Sequence, residues 1–367
     1  MKKKLKDVCI IEKGKQIDTK ALDDSNSYRY INGGIKESGF YNDFNTSGET
    51  VLISEGGASC GYVNYVNEQF WCGCHCYRLT DINAFPKFLF YSLKASQNGI
   101  MELRTGAAMP NIKKESLKNF EISIIEDKED QIKIAAHLDT IQSAIDNKKQ
   151  QLALLDEAVK SEFVEMFGEN PVESGKWKVE RLEDACSSIV DCPHTTPKYE
   201  GELKNPAIRT SEIKKGYITW DSMRYVSDNE YEERTARLRP ENGDIVYGRE
   251  GTFGNAAILP KNYKFCLGQR VMLLRPDYSK CVSEYLLYTL ISDFLYQQAL
   301  DKNRLTTVAH VNVKDVKNFK IPIPPLELQT QFASFVQKID KSKSLVKKQI
   351  TDLQELLDSK MQEYFGE

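Results

Sequence analysis

The chain has no run of apolar residues close to the roughly 20 that a membrane-spanning helix needs. Its first residues, MKKKLKDVCIIEKGK, also lack the long apolar segment and the cleavage site of a secretory signal. An apolar fraction of 41% and a charged fraction of 28% are ordinary for a globular, soluble protein. These features predict a cytoplasmic protein without a membrane segment.

Motifs of enzymes that modify or cut DNA are absent as well. The chain has no Asn/Asp-Pro-Pro-aromatic tetrapeptide, no Walker lysine after a glycine loop, and no Pro-Asp with a suitably spaced Glu-x-Lys. The glycine-rich GREGTFG at 248–254 has the wrong spacing for a phosphate cradle, and its small residues favour a structural turn. We therefore expect no catalytic residue and no cofactor.

Cysteines at disulfide or zinc spacing are also scarce. Nine cysteines, an odd number scattered over 367 residues, fit reduced thiols better than a disulfide framework. Three of them crowd around His75 in CGCHC at 72–76, which is too dense for a zinc site normally built from two separate pairs of ligands. A core strand with inward-facing thiols is the better interpretation, and we expect no metal.

The chain lacks the excess of positive charge that is typical of nucleic-acid-binding proteins, since its formal net charge is -3. The distribution of charge is more informative. Residues 1–128 carry 17 basic and 16 acidic side chains, and residues 170–326 carry 23 and 21. Residues 129–169 and 327–367 together carry 10 basic and 16 acidic side chains. The first two segments can therefore face phosphate, whereas the acidic two suit solvent or basic partners.

What the chain does contain is an internal repeat. EFVEMFGE at 162–169 returns as KMQEYFGE at 360–367. Residues 131–169 align without a gap on residues 329–367, and twelve of the 39 positions are identical. Self-similarity at a fixed offset is a strong indicator of architecture.

The repeat extends upstream with weaker similarity. SGETVLISEGGASCG at 47–61 aligns with NGDIVYGREGTFG at 242–254, and CGCHCYRL at 72–79 aligns with LGQRVMLL at 267–274. The duplicated unit is therefore a whole module, and the chain is predicted to run globule, long helix, globule, long helix.

Both copies of the helical segment carry one apolar seam, with steps of four and three residues that place it along one face of a helix of about 36 residues and about 54 Å. Each seam is interrupted by one polar residue, Lys148 in the first copy and Lys343 in the second. The alternative is two unrelated amphipathic helices on local cores. The predicted seam comprises Ile134, Leu138, Ile141, Ile145, Leu152, Leu155, Val159, Phe332, Val336, Ile339, Val346, Ile350, Leu353 and Leu357.

The globules have a mixed composition of strand and helix signals. TVLIS, DIVYG and VMLL have strand character, whereas residues 85–104 and 283–301 have helical spacing. IPIPPLE at 321–327 is rigid and cannot be helical. The predicted fold class is α+β: two mixed α/β globules, 1–128 and 170–326, and two long helices, 129–169 and 327–367, packed as an antiparallel coiled coil with pseudo-twofold symmetry.

The chain resembles the specificity subunit of type I restriction-modification systems. The resemblance rests on three features that occur in both repeats: a strand followed by a glycine-rich loop, a later bridge, and a long helix. In the second repeat the bridge reads KNFKIPIPPLELQTQFA. The resemblance covers essentially the full chain, although the first bridge lacks the Pro-Pro pair. It implies that each globule is a target recognition domain reading half of a split double-stranded DNA site, and that the helices fix the gap. It also implies two DNA adenine methyltransferase subunits docked on the helices, and restriction translocase subunits that can join them.

Candidate DNA-contacting residues are polar or basic groups in the duplicated loops, since arginine can grip guanine bidentately. For base contacts we select Arg249 and Arg270 in the second globule, and His75 and Arg78 in the first. For phosphate contacts we select Lys15, Lys198 and Arg304. For each residue taken alone, surface charge or an internal salt bridge is a competing interpretation.

Two other histidines and one alternative function of the whole chain are also consistent with the sequence. His137 lies on the first long helix, where packing is favoured over catalysis, and His194 lies in a loop that could touch DNA or be inert. The rival function is a coiled-coil scaffold or adaptor whose two globules bind proteins. A neighbouring gene for an adenine methyltransferase would favour DNA recognition over this alternative.

Overall fold

The computed structural model describes residues 1–106, 109–201, 204–250, 254–303 and 311–366. Its contacts divide the chain into two compact units. One comprises residues 1–150 together with 347–367, and the other comprises residues 151–346. Each unit therefore combines one globular domain with segments of two long helices. No helix in the described ranges has both the length and the apolarity needed to span a bilayer.

The first domain is built from short strands and three helices, followed by the first long helix. Its described strands are β1 (Lys2–Lys4), β2 (Ile10–Lys13), β3 (Tyr28–Ile31), β4 (Phe40–Tyr41), β5 (Thr50–Ser54), β6 (Val63–Val66), β7 (Phe70–Cys72), β8 (Cys76–Thr80) and β9 (Glu121–Ser123). The helices are α1 (Pro86–Ala95), α2 (Gln97–Glu102), α3 (Lys114–Lys118) and the long α4 (Lys128–Phe167).

The second domain has a similar order of elements. Its described strands are β10 (Lys178–Arg181), β11 (Cys186–Asp191), β12 (Tyr199–Glu200), β13 (Asn205–Ile208), β14 (Arg224–Val226), β15 (Ile245–Gly248), β16 (Ala256–Ile258), β17 (Cys266–Leu267), β18 (Val271–Pro276) and β19 (Lys320–Ile323). The helices are α5 (Leu182–Ala185), α6 (Asp228–Thr235), α7 (Ser283–Leu290), α8 (Asp293–Asn303), α9 (Val313–Lys317) and the long α10 (Leu326–Phe365).

The two domains share one sheet topology. An antiparallel sheet has the order β2-β8-β5-β6 in the first domain and β11-β18-β15-β16 in the second. A smaller sheet contains one parallel pair, β3 with β7 in the first domain and β13 with β17 in the second. The predicted strands TVLIS, DIVYG and VMLL lie in β5, β15 and β18, the central strands of the larger sheets. The prediction of two mixed α/β domains in tandem is confirmed.

Each domain begins and ends on a two-stranded antiparallel ribbon. β1 pairs with β9 in the first domain, and β10 pairs with β19 in the second. The first part of the bridge IPIPPLE is extended as predicted, because Ile321 and Pro322 lie in β19 opposite Glu180 and Val179. The prediction that none of it is helical was wrong for its last two residues, which lie in the first turn of α10. A proline is tolerated there because a two-stranded ribbon leaves each strand with a free edge. α10 begins directly after Pro325, at Leu326.

The long helices α4 and α10 contain 40 residues each, or about 60 Å at 1.5 Å per residue. Within each compact unit their segments run antiparallel. In the first unit His137 Nδ1 lies 2.9 Å from the Tyr364 hydroxyl. In the second unit the rings of Phe163 and Phe332 pack edge to face at 5.5 Å between centroids. Two long helices, predicted from periodicity, are thus present.

The fourteen predicted seam residues are all buried or half-buried. Ile145 and Val159 are fully buried on α4, as is Phe332 on α10. Lys343, one of the two lysines that interrupt the seam, is half-buried, and its Nζ lies 2.7 Å from Asp156 Oδ1. An ion pair therefore occupies the seam position where the first copy carries Ile145.

One identity between the repeats has a shared structural role. Gln131 and Gln329, 2% and 0% exposed, lie in the first turns of α4 and α10. Gln131 accepts a hydrogen bond from Phe85 N at 2.6 Å and donates to Ile125 O at 2.6 Å. Gln329 accepts from Val282 N at 3.0 Å and donates to Pro324 O at 2.8 Å. In both units this amide joins the long helix to the start of the domain's helical layer.

Candidate nucleic-acid interface

The same tight turn occurs in both domains, between the parallel strand and the centre of the larger sheet. It comprises residues 73–75 between β7 and β8, and residues 268–270 between β17 and β18. Gly73 N donates to Ile31 O at 2.8 Å, and Gly268 N donates to Ile208 O at 2.7 Å. A Cβ at Gly73 would lie 2.3 Å from Asn32 Oδ1, and one at Gly268 would lie 2.6 Å from Ile208 O. Both turns therefore need glycine, because the Asn32 side chain approaches Gly73 closely and the backbone of Ile208 approaches Gly268 closely.

In the first domain this turn presents His75 beside Lys15. Lys15 N donates to Cys72 O at 2.8 Å, and the Trp71 indole Nε1 donates to Lys15 O at 2.9 Å. The side chains of His75 and Lys15 are both exposed. The structure thus brings one predicted base-contacting residue and one predicted phosphate-contacting residue to the same edge.

In the second domain the equivalent turn presents Arg270. Its side chain is 63% exposed, and its Nε lies 3.0 Å from Glu250 Oε2. Its φ of 66° lies in the left-handed region, which is uncommon for a residue with a side chain. Arg270 corresponds to His75 in the repeat alignment, so the two domains differ at the tip of a shared turn.

Two other predicted base-contacting residues are engaged inside their domains. Arg249 is 7% exposed and pairs with Asp191 at 3.1 Å and Glu250 at 3.1 Å. Arg78 bonds Glu12 Oε2 through Nε at 3.0 Å and Nη2 at 2.8 Å. Both guanidinium groups therefore stabilise strand neighbours, and a role in base contact would require these ion pairs to open. Base contact by either residue stays a prediction.

The remaining sequence candidates are less closely associated with the turns. Lys198 is exposed, and its backbone N donates to Glu230 Oε1 at 3.3 Å. His194 is exposed, with its Nε2 3.6 Å from Asp191 Oδ2, and therefore lies near Arg249. Arg304 lies outside the described residues.

One buried and one half-buried polar side chain that sequence reasoning missed hold the two turns in place. In the second domain the Arg234 guanidinium donates to Leu267 O at 2.9 Å and Gly268 O at 3.3 Å. In the first, Asn45 exchanges two hydrogen bonds with the backbone of Cys72, at 2.7 and 3.0 Å. Arg234 lies in the polar sequence DNEYEERT of α6, so no sequence signal separates it from a surface arginine.

The interpretation of CGCHC as a continuous core strand was wrong. β7 ends at Cys72 and β8 begins at Cys76, with the turn between them. Cys72 and Cys76 are buried as expected, because they lie on strand ends that face the core. Cys74 is half-buried, and its thiol lies 2.7 Å from Gln16 Oε1. Within the described ranges no group of three or more histidine, cysteine or acidic residues is arranged to hold a metal ion.

Comparison with known proteins identifies one family. Residues 1–157 and 175–355 match the family model described as "Type I restriction modification DNA specificity domain". A putative type I specificity subunit from Mycoplasma pneumoniae is 30% identical over 192 residues, 51% of this chain and 51% of that protein. The MjaIX specificity subunit from Methanocaldococcus jannaschii is 24% identical over 315 residues, 78% of this chain and 71% of that protein.

The fold is similar to that of a solved relative. This relative is a type I restriction-modification S subunit from Mycoplasma genitalium, known from a crystal structure. The superposition covers 100% of this chain and 96% of the Mycoplasma genitalium chain, with a TM-score of 0.65 and 20% sequence identity. The chain spans about half the length of the Mycoplasma proteins that it matches in sequence.

Proposed function

The chain belongs to the family of type I restriction modification DNA specificity domains, and from this premise we propose that it is a non-catalytic subunit that reads DNA sequence. In this proposal, residues 1–128 and 170–326 are two target recognition domains. Each reads one half of a bipartite, asymmetric site in double-stranded DNA. Residues 129–169 and 327–367 are the spacer helices that separate the two target recognition domains.

The observation that carries this proposal is the duplicated turn with a different exposed side chain at its tip. Arg270 can donate two hydrogen bonds to the O6 and N7 acceptors of guanine, worth about 1–3 kcal/mol of discrimination. His75 offers a smaller ring with one donor and one acceptor when neutral. One scaffold carrying two different readers favours two different half-sites.

The other contacts divide by burial. Lys15 and Lys198 are exposed lysines suited to phosphate, which positions a protein on the duplex without reading sequence. Arg249 and Arg78 are better suited to holding the reading turns, because their guanidinium groups already bond carboxylates. Arg304 remains a phosphate-contact proposal from sequence alone.

The charge balance supports basic partners on the helices. The domains are close to neutral, whereas the helical segments carry 10 basic and 16 acidic side chains. We infer that the chain alone binds DNA weakly, because phosphate neutralisation supplies most of the affinity of such complexes. Two adenine methyltransferase subunits docking on the helices would supply the missing positive charge, and restriction translocase subunits would join that assembly. Such an assembly acts where the DNA lies, in the cytoplasm.

The proposal is tested by mapping methylated adenines in cells with and without this gene. We expect the loss of one split motif when the gene is deleted. A methylation pattern that does not change on deletion would contradict DNA recognition and would favour the scaffold alternative.

Replacing one turn residue in each domain then assigns the half-sites. Arg270→Gln should relax one base position in one half-site, and His75→Gln should do the same in the other. Arg181→Gln is the matched control, because Arg181 is exposed but lies in the β10 ribbon. If both turn variants leave the motif unchanged while methylation persists, base reading lies elsewhere in the domains.

A further inference from the structure

The first domain contains two neighbouring buried thiols that the proposed function does not use. Cys72 and Cys76 are 0% and 2% exposed, and Cys72 Sγ donates to Gly73 O at 3.8 Å. The intervening turn is closed by Cys76 N, which donates to Gly73 O at 3.1 Å. Consecutive amides of another segment, Gly14 N and Lys15 N, bind Cys76 O at 3.0 Å and Cys72 O at 2.8 Å. The backbone thus holds the two cysteines close together, as a disulfide requires.

One thiol of the pair is set up to ionise. Cys76 Sγ accepts a hydrogen bond from Gly33 N at 2.9 Å. The neighbouring Cys72 thiol and the hydrogen bond from Gly33 lower the pKa of Cys76 against the opposing effect of burial. The thiolate is the nucleophilic form of cysteine, so Cys76 is the more reactive sulfur.

The same domain contains an unpaired buried polar group. The Tyr30 hydroxyl, on a residue 1% exposed, has no hydrogen-bond partner among the described residues. Burial is the main cause that raises the pKa of Tyr30. An unpaired buried hydroxyl is costly.

The second domain shows that the fold does not need thiols at this turn. The positions that correspond to Cys72, Cys74 and Cys76 are Leu267, Gln269 and Val271. Leu267 and Val271 are buried in the same structural context. The dithiol therefore adds chemistry to the first domain that its packing alone does not require.

We propose that Cys72 and Cys76 are an oxidation site, at which a hydroperoxide converts the two thiols into an intramolecular disulfide. The Cys76 thiolate attacks the hydroperoxide and breaks its O–O bond, which leaves a sulfenic acid on Cys76 and releases an alcohol or water. The Cys72 sulfur then attacks the Cys76 sulfur and displaces the hydroxyl group, which leaves as water with the Cys72 proton. The two thiols lose two electrons and two protons in total, and the hydroperoxide is reduced.

The disulfide would lock the turn at whose tip His75 lies. Its bond fixes the ends of β7 and β8 to each other. Any effect on DNA reading rests on the proposed function, whereas formation of the bond does not.

The test is the intact mass of the purified full chain after treatment with hydrogen peroxide, followed by peptide mapping. We expect a mass lower by two hydrogen atoms, a peptide link between Cys72 and Cys76, and recovery of the original mass with dithiothreitol. The variants Cys72→Leu and Cys76→Val introduce the residues of the second domain and should abolish the loss. The variant Cys74→Gln should retain it.

The outcome does not depend on DNA or on a partner, so it separates this proposal from the proposed function. Mapping in the unmodified chain decides the question even if a variant fails to fold. The proposal is overturned if the treated chain gains oxygen without losing hydrogen, or if the mapped link joins Cys74 or a cysteine of the second domain.

Discussion

Gln131 and Gln329 show how single side chains anchor the first turns of the long helices. Each is a buried amide with both ends satisfied, and each lies in a first helical turn whose backbone N–H groups have no partner within the helix. The identity was visible in the sequence repeat. Its role was not, because an isolated glutamine in a charged helix has no distinguishing pattern.

Replacing Gln329 with leucine should destabilise the chain by about 2–3 kcal/mol. The change leaves Val282 N and Pro324 O buried without partners, and each unmade buried hydrogen bond costs about 1–3 kcal/mol. The free energy of unfolding from urea titration measures the effect. Gln331→Leu, an exposed position two residues later, is the control and should stay within about 0.5 kcal/mol of the parent.

Glu212 makes the second domain sensitive to acid. It is 0% exposed and accepts hydrogen bonds from Arg209, Ser211 and Ser222. Burial alone would raise the pKa of Glu212, but these bonds outweigh it and hold the pKa below its usual 4.5. A folded-state pKa below the unfolded value contributes stability above about pH 4.5 and loses it as the pH falls through the folded pKa.

We therefore expect the unfolding midpoint in urea to fall steeply below about pH 4.5. The Glu212→Gln variant should be less stable at neutral pH and should depend less on acid. Glu233→Gln, at an exposed carboxyl, is the control. An equal acid slope in Glu212→Gln and the parent would remove Glu212 from this role.

At the scale of elements, the long helices were predictable and the short ones less so. Apolar residues that recur at steps of four and three over five turns or more predict α4 and α10 without knowledge of their tertiary contacts. Such an apolar stripe must pack against another part of the protein, and this requires a helix. CGCHC failed for the opposite reason. In a five-residue segment, small thiols fit a buried strand or the two ends of a turn equally well, and tertiary contacts to Gly14 and Asn45 decide.

Two adjacent leucines near the end of α10 test the seam. Leu357 is 7% exposed and Leu356 is 43% exposed. Leu357→Asp places a carboxylate in the core without a partner and should cost several kcal/mol, or about 3–5 by comparison with broken buried pairs. Leu356→Asp changes the same chemistry at the surface and should cost less than about 1 kcal/mol. Equal losses in thermal unfolding would show that the seam does not face as described.

At the scale of the whole molecule, the repeat allowed the duplicated topology to be predicted, but not the individual contacts at the turns 73–75 and 268–270. The strand order is shared because the same apolar pattern occurs twice. The exposed residues can differ because the glycine and the backbone hydrogen bonds of the turn fix its shape independently of the side chain at its tip. Arg249 illustrates the limit, since its burial depends on Asp191, 58 residues away in sequence.

If the helices set the gap between half-sites, lengthening both should change the gap alone. Inserting seven residues in α4 and seven at the facing position of α10 preserves the seam and adds about 10 Å. We expect the unread gap to grow by up to about three base pairs at 3.4 Å each, with both half-sites unchanged. Methylome mapping of the insertion variant measures both quantities, and altered half-sites with the original gap would place base reading in the helices.

The ribbons β1–β9 and β10–β19 have a consequence for inheritance. Because the strands that enter and leave each domain lie side by side, the domain is an insert whose two ends are adjacent, the arrangement in which proteins tolerate exchange of a whole segment. Recombination at the ribbons can therefore replace one domain by a relative's while the helices keep their register. If each domain reads one half-site as proposed, a small stock of domains would yield a number of combined specificities equal to the product of the choices at the two positions.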